Sequence, residues 1–213
     1  MSKIRTEDII CPECGAKGKF TIWDSINVDL NPDLHDKVLS GELFSWKCPR
    51  CGKTFDVPFS TLYHDMKRNL MIYLLTQKPE EGLKVSFGKG LDYTYRAVFS
   101  IDDLKEKIIQ LESGLDDRAI EFLKYILLHN DRANGIPEDA ILRFVDYGNE
   151  DGEKTINFLA FSPRQNNPRC FSVPFAVYED IIADPISKKV FEQDADFPEV
   201  SQDFLKMALS DDK

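Results

Sequence analysis

The sequence predicts an α+β fold in which a small cysteine-anchored module with a structured insert is followed by an α+β domain. Three observations predict it. Cys11-Pro12-Glu13-Cys14-Gly15 and Cys48-Pro49-Arg50-Cys51-Gly52 are near-identical knuckles in the first quarter of the chain. Strand-like and helix-like periods alternate between and after them. A packed helical pair then precedes antiparallel strands and C-terminal helices.

The knuckles supply four thiols at C-x2-C…C-x2-C spacing, which reads as one tetrahedral zinc site. Two residues between cysteines let one tight turn aim both sulfurs at one ion. The glycine after each second cysteine suits a left-handed backbone turn, and nearby N–H groups can then offset thiolate charge. The metal ligands expected are Cys11, Cys14, Cys48 and Cys51, in a closed, structural Zn²⁺ site and a zinc-ribbon-like module. Two disulfides, a redox-active pair and an iron tetrathiolate are the competing readings. Cys170 stands apart and reads as a small buried hydrophobe.

The chain has 213 residues, 42% of them hydrophobic, with 15 Phe, which suffices for one or two packed domains. Its net charge of -10 and pI near 4.8 disfavour nucleic acid and anionic membranes as partners. The first residues are charged, no apolar h-region follows and no apolar run is long enough to span a bilayer, so the expected location is the cytoplasm.

Taken in order, Ile9-Ile10 lead as a strand into the first knuckle, and 18–27 return as a second. Leu34, Val38 and Leu39 mark a short helix, capped by Asn31 and ended by Gly41. Strands at 42–47 and 53–59 flank the second knuckle. Tyr63-His64-Asp65 reads as a turn and 70–75 as a buried strand. Residues 77–91, with Pro79, three glycines and several charges, read as a connection, so the module spans 1–76 and the second domain 92–213. A strand ends near Phe99, and Ser100 caps a helix to about 112. A second helix covers about 116–130, with Asp116 and Asp117 at its start. Strands at 140–147 and 155–161 flank a Gly-Asn-Glu-Asp-Gly turn, a third covers 169–173, and helices follow at 174–183 and 201–209.

These residues carry a resemblance. The paired C-P-x-C-G knuckles, an insert ending Gly41-Glu42-Leu43-Phe44, and Leu62-Tyr63-His64-Asp65 resemble the CpXC family of bacterial and archaeal proteins. So do Asp103-Leu104-Lys105-Glu106-Lys107-Ile108 and Gly114-Leu115-Asp116-Asp117-Arg118, giving a match over roughly 8–130. The resemblance implies metal-binding cysteines and supplies no catalytic residue.

The expected function is a metal-stabilised binding or scaffold protein with a protein partner or a small ligand. The alternative is an enzyme with an interdomain site near Tyr63, His64 and Asp65, the one place where acid–base groups adjoin. A further alternative is a nucleic-acid-associated ribbon using Trp23, Phe44, Trp46, Arg50 and Lys53. His35 reads as a surface group, His129 as the end of the second helix, where the dipole favours a cation, and Glu112, Asp116, Asp117 and Glu121 as a solvated acidic helix start rather than a cation site.

Overall fold

A computed structural model describes residues 2–77, 92–129, 136, 137, 139–150, 152–164, 167–191, 199–203, 205 and 206. The architecture is α+β, and contacts divide it into a first unit up to Lys105 and a second from Glu106 onward.

In the first unit, β1 (Lys3–Ile10) and β2 (Lys17–Asn27) form an antiparallel hairpin whose tip is the first knuckle. Beyond β2 come α1 (Asp33–Ser40), a 3₁₀ turn over Glu42–Phe44, and the short antiparallel strands β3 (Ser45–Lys47) and β4 (Thr54–Asp56). The second knuckle is the tip of that hairpin. β5 (Thr61–Asp65), β6 (Leu70–Leu74) and β7 (Thr94–Val98) then complete a five-stranded sheet in the order β1-β2-β5-β6-β7. β2 pairs β5 in parallel, as β6 pairs β7. The insert between the knuckles is thus part of a crossover, as parallel neighbours require.

Local chemistry explains these elements. Leu34 and Val38 give α1 its buried stripe, and Gly41 closes it at φ 81 with its N–H on the Val38 carbonyl, 3.1 Å away. The expected Asn31 cap is not made. Its backbone carbonyl accepts the Leu34 N–H at 3.1 Å, while its side-chain oxygen accepts the Ser2 hydroxyl at 2.7 Å. Phe59 joins the insert to the sheet, its ring centroid 4.9 Å from that of Phe44 and 5.9 Å from that of Phe20 on β2.

Two sequence expectations change here. Tyr63-His64-Asp65 is a strand, because Thr61, Tyr63 and Asp65 alternate into a buried face; the turn comes later, at 66–69, with Asn69 at φ 51. The boundary drawn at 77–91 also differs from the division by contacts. β7 is hydrogen-bonded to β6 along its length, which ties it to the first sheet. Residues 78–91 of that connection lie outside the described residues.

The second unit takes up the chain within α2 (Ile101–Glu112), whose start Ser100 caps by accepting the Asp103 N–H at 3.0 Å. α3 (Asp117–His129) follows, then the antiparallel sheet β10-β9-β8, built from β8 (Ile141–Glu150), β9 (Glu153–Phe161) and β10 (Arg169–Pro174). α4 (Phe175–Ala183) and α5 (Pro185–Phe191) come next. Ala119, Ile120 and Leu123 of α3 share a core with Phe144, Ile156, Phe158 and Ile181. Pro185 opens α5 rather than only ending α4: Asp184 caps that helix by accepting the Ser187 N–H at 2.8 Å. Of the helix expected at 201–209, residues 202, 203, 205 and 206 are helical and 204 and 207–209 lie outside the described residues.

Cys170 is exposed on β10, which corrects its reading as a buried hydrophobe: among the described residues β10 is an edge strand paired with β9. Asp117 and Glu121, read as solvated, are buried. No described helix is long and apolar enough to cross a membrane.

Candidate metal centre

Each knuckle is the turn of a hairpin, and the two turns have the same backbone wiring. In the first, the Cys11 N–H donates to the Ala16 carbonyl at 2.9 Å and the Gly15 N–H to the Cys11 carbonyl at 3.0 Å. In the second, the Cys48 N–H donates to the Lys53 carbonyl at 2.8 Å and the Gly52 N–H to the Cys48 carbonyl at 3.0 Å. Gly15 and Gly52 close these loops at φ 68 and φ 73, the left-handed region expected from the sequence.

The four sulfurs meet. Cys11 Sγ lies 3.7 Å from Cys51 Sγ and Cys14 Sγ 3.7 Å from Cys48 Sγ, so both close pairs run between knuckles. All four lie within 4.8 Å of one another, and none is in a disulfide. Four sulfurs about 2.3 Å from a common centre would stand about 3.8 Å apart. The quartet therefore fits a tetrahedral ion, and the competing disulfide reading is not what the geometry shows.

Electrostatics agree with a cation. Backbone N–H groups of Cys51 and Arg50 lower the Cys48 thiol to about 6, despite burial and with help from Cys11 and Cys51. The Lys53 N–H draws Cys51 down, but burial and the neighbouring Cys48, Cys11 and Cys14 push it up to about 12. The Ala16 N–H likewise draws Cys14 down, yet burial and the Cys11 and Cys48 thiols raise it. The Cys48 proton leaves easily, while burial and hydrogen bonding to neighbouring sulfurs hold those of Cys14 and Cys51, which a bound cation would displace.

Packing joins the two hairpins near the cluster. Lys53 of the second knuckle forms an ion pair with Glu13 of the first. The Trp46 ring on β3 packs against Gly18 on β2, where an added Cβ would come 2.5 Å from Trp46 Cζ2. We predict that Gly18→Ala lowers stability by about 1–3 kcal/mol through overpacking and weakens metal retention. In a Trp46→Leu background the same change should cost less, a coupling that thermal melts of the four proteins would measure.

The structure does not assemble Tyr63, His64 and Asp65. The strand puts Tyr63 and Asp65 on one face of β5 and His64 on the other. Asp65 accepts from Arg68, at 3.0 Å from the N–H and 2.6 Å from the guanidinium. His64 Nδ1 lies 3.4 Å from the Asn27 amide nitrogen and Nε2 3.1 Å from the Tyr93 hydroxyl. Burial lowers the His64 pKa, which favours the neutral ring. His35 sits beside the Asp36 carboxylate at 2.9 Å on α1, and His129 Nδ1 lies 2.9 Å from the Tyr125 carbonyl at the end of α3. Of the aromatics expected to stack bases, Phe44 and Trp46 are buried and Trp23 is half-buried.

Sequence reasoning missed one cluster, in the second unit. Glu106 accepts from Lys124 at 2.9 Å, Arg143 at 2.7 Å and the Phe144 N–H at 2.8 Å. Lys107 pairs Asp117 at 2.9 Å, and Lys124 pairs Glu121 at 2.8 Å. Lys107 also donates to the Val200 carbonyl at 3.2 Å. Three carboxylates and three cations balance, so this is an internally neutral structural network. The i, i+4 spacing of Glu121 from Asp117, on the face that carries Ile120 and Lys124, was the available signal.

Comparison with curated proteins finds no match, nor does comparison with solved structures. The family described as CpXC protein matches residues 9–124, more than half of the chain. That span begins just before the first knuckle and takes in both knuckles, β2 to β7, α2 and most of α3. With its defining cysteines gathered into one cluster, this chain belongs to the CpXC family.

Proposed function

We propose that the chain is a binding or scaffold protein whose first unit is held together by one structural zinc ion on Cys11, Cys14, Cys48 and Cys51. The observation that carries this reading is the convergence of the four sulfurs at two hairpin tips. Four thiolates fill a tetrahedral coordination sphere, leaving no position for water or substrate. Such an ion stabilises the fold rather than reacting. Cys11 and Cys48, each 1% exposed, seal its inner side. The β3–β4 hairpin has three residues per strand and, among the described residues, pairs with no other strand. A two-stranded sheet of that size is marginal alone, so the ion supplies an anchor that its own ladder does not.

The partner is a protein or a small ligand, and the location the cytoplasm. The acidity of the chain and the burial of Phe44 and Trp46 weigh against nucleic acid.

Elemental analysis of reduced protein tests the reading. It should find one zinc per chain, and a strong chelator should remove it with loss of structure in the first unit. A metal content well below half an ion per chain would contradict it, as would the visible colour of an iron tetrathiolate. Affinity capture from the native host would then identify the partner.

A further inference from the structure

The first unit contains a cavity of about 420 Å³ where the end of α1, β4, the end of β6 and the start of α2 meet. Phe44, Leu74 and Phe99 are among its apolar lining, and Asp56, Asp102 and Lys105 also face it. Its volume falls within the range of small-molecule sites, and so does its mixture of apolar wall and few polar groups. Phe44 and Leu74 are each 1% exposed, so this part of the wall is core material rather than loose surface.

The charged groups are the informative part. Among the described residues, no ion pair or side-chain hydrogen bond engages Lys105, Asp56 or Asp102. Lys105 is only half-exposed, and its stem reaches toward Gly41, where an added Cβ would come 2.9 Å from Nζ. Glycine at that position closes α1 and leaves room for the ammonium. An ammonium and two carboxylates therefore share one cavity without neutralising one another. Two of the stretches on which the family resemblance rests, Gly41–Phe44 and 103–108, meet at this wall through Gly41, Phe44 and Lys105.

We propose that this cavity binds a small zwitterion with an apolar body, of the α-amino-acid class. The carboxylate of the ligand pairs with Lys105. Its ammonium pairs with Asp56 and Asp102, and its side chain lies against Phe44, Leu74 and Phe99. A simple anion would meet two carboxylates, and a simple cation would leave Lys105 unpaired, so a ligand bearing both charges fits best. The inference rests on the reading of the chain as a binding protein and not on the identity of the metal.

Calorimetric titration of the full-length, metal-replete protein tests it with three probes. These are L-phenylalanine, N-acetyl-L-phenylalanine (ammonium removed) and phenethylamine (carboxylate removed). L-phenylalanine should bind best, with each truncated probe weaker by about tenfold or more, the equivalent of one lost charge pair. Lys105→Met should abolish the advantage of L-phenylalanine over phenethylamine, and Asp56→Asn should narrow its advantage over the N-acetyl compound. Circular dichroism and metal content of each variant show whether the fold and the metal site are intact. Any other ranking of the probes, unchanged affinity in Lys105→Met, or no binding of any probe at millimolar concentration would overturn the proposal. If such a result came with full metal content, the metal reading would stand without it.

Discussion

Cys48→Ser should lose the metal and loosen both hairpins while sparing the centre of the five-stranded sheet. Structural zinc contributes about 10–16 kcal/mol in small zinc-binding peptides, comparable to the whole stability of about 5–15 kcal/mol typical of a domain. The sheet has its own core in Ile26, Tyr63 and Ile72, each 0% exposed. The β3–β4 hairpin has no such reserve, and the tip of β1–β2 runs beyond the pairing with β5, which reaches only Ser25 to Asn27. Hydrogen exchange should therefore rise sharply at residues 45–56 and 8–19 and little at Ile26, Tyr63 and Ile72. Cys170→Ser, on the exposed side of β10, should leave metal content and exchange unchanged. Equal effects of the two substitutions would contradict the assignment.

The second large effect is expected at Glu106. Its carboxylate gathers two cations and a backbone N–H in a site only 6% exposed. Glu106→Ala leaves Lys124 with Glu121 alone and the buried network with one uncompensated positive charge, and breaking one partner of a buried pair costs about 3–5 kcal/mol. Arg143 is more exposed, so Arg143→Ala should cost less. The network also sets a pH dependence. Burial would raise the Glu106 pKa, but Lys124, Arg143 and the Phe144 N–H hold it below its ordinary value of 4.5. A carboxylate with a depressed folded pKa contributes stability above the unfolded pKa and loses it as pH falls through the folded one. Burial would lower Lys124, but Glu121 and Glu106 raise it above 10.5. Its contribution is full below that value and is lost as pH rises through the higher folded pKa. Urea titrations should show a plateau between these limits and an acid loss that is smaller in Glu106→Gln. An acid loss of the same size in that variant would remove Glu106 as its cause.

What could be read from the sequence was what is decided locally. The C-x2-C turns, the Gly41 stop and the Ser100 cap depend on neighbours a few residues away, and each has a residue type that only a few conformations suit. The α1 stripe of Leu34 and Val38 is likewise a local period. What escaped was decided at long range. Tyr63-His64-Asp65 has the composition of a turn, and only pairing with Ile26 on one side and Ile72 on the other makes it a strand. The pairing of β7 with β6 is invisible in the sequence because a parallel partner leaves no hairpin signal between them. Asp117 and Glu121 look solvated until α2 brings Lys107 to Asp117 and Glu106 to Lys124, the partner of Glu121 on α3 itself. The metal cluster lies between these cases. Each pair of thiols is local, but their union depends on the crossover that brings residue 48 back to residue 14, and the duplicated motif was the clue that both serve one site.

X-ray absorption at the metal edge of purified, reduced protein tests that union most directly. A single shell of four sulfurs at about 2.3 Å is the predicted result, in wild type and in Cys170→Ser alike. A shell containing nitrogen or oxygen, or fewer than four sulfurs in wild type, would contradict the claim that Cys11, Cys14, Cys48 and Cys51 hold one ion.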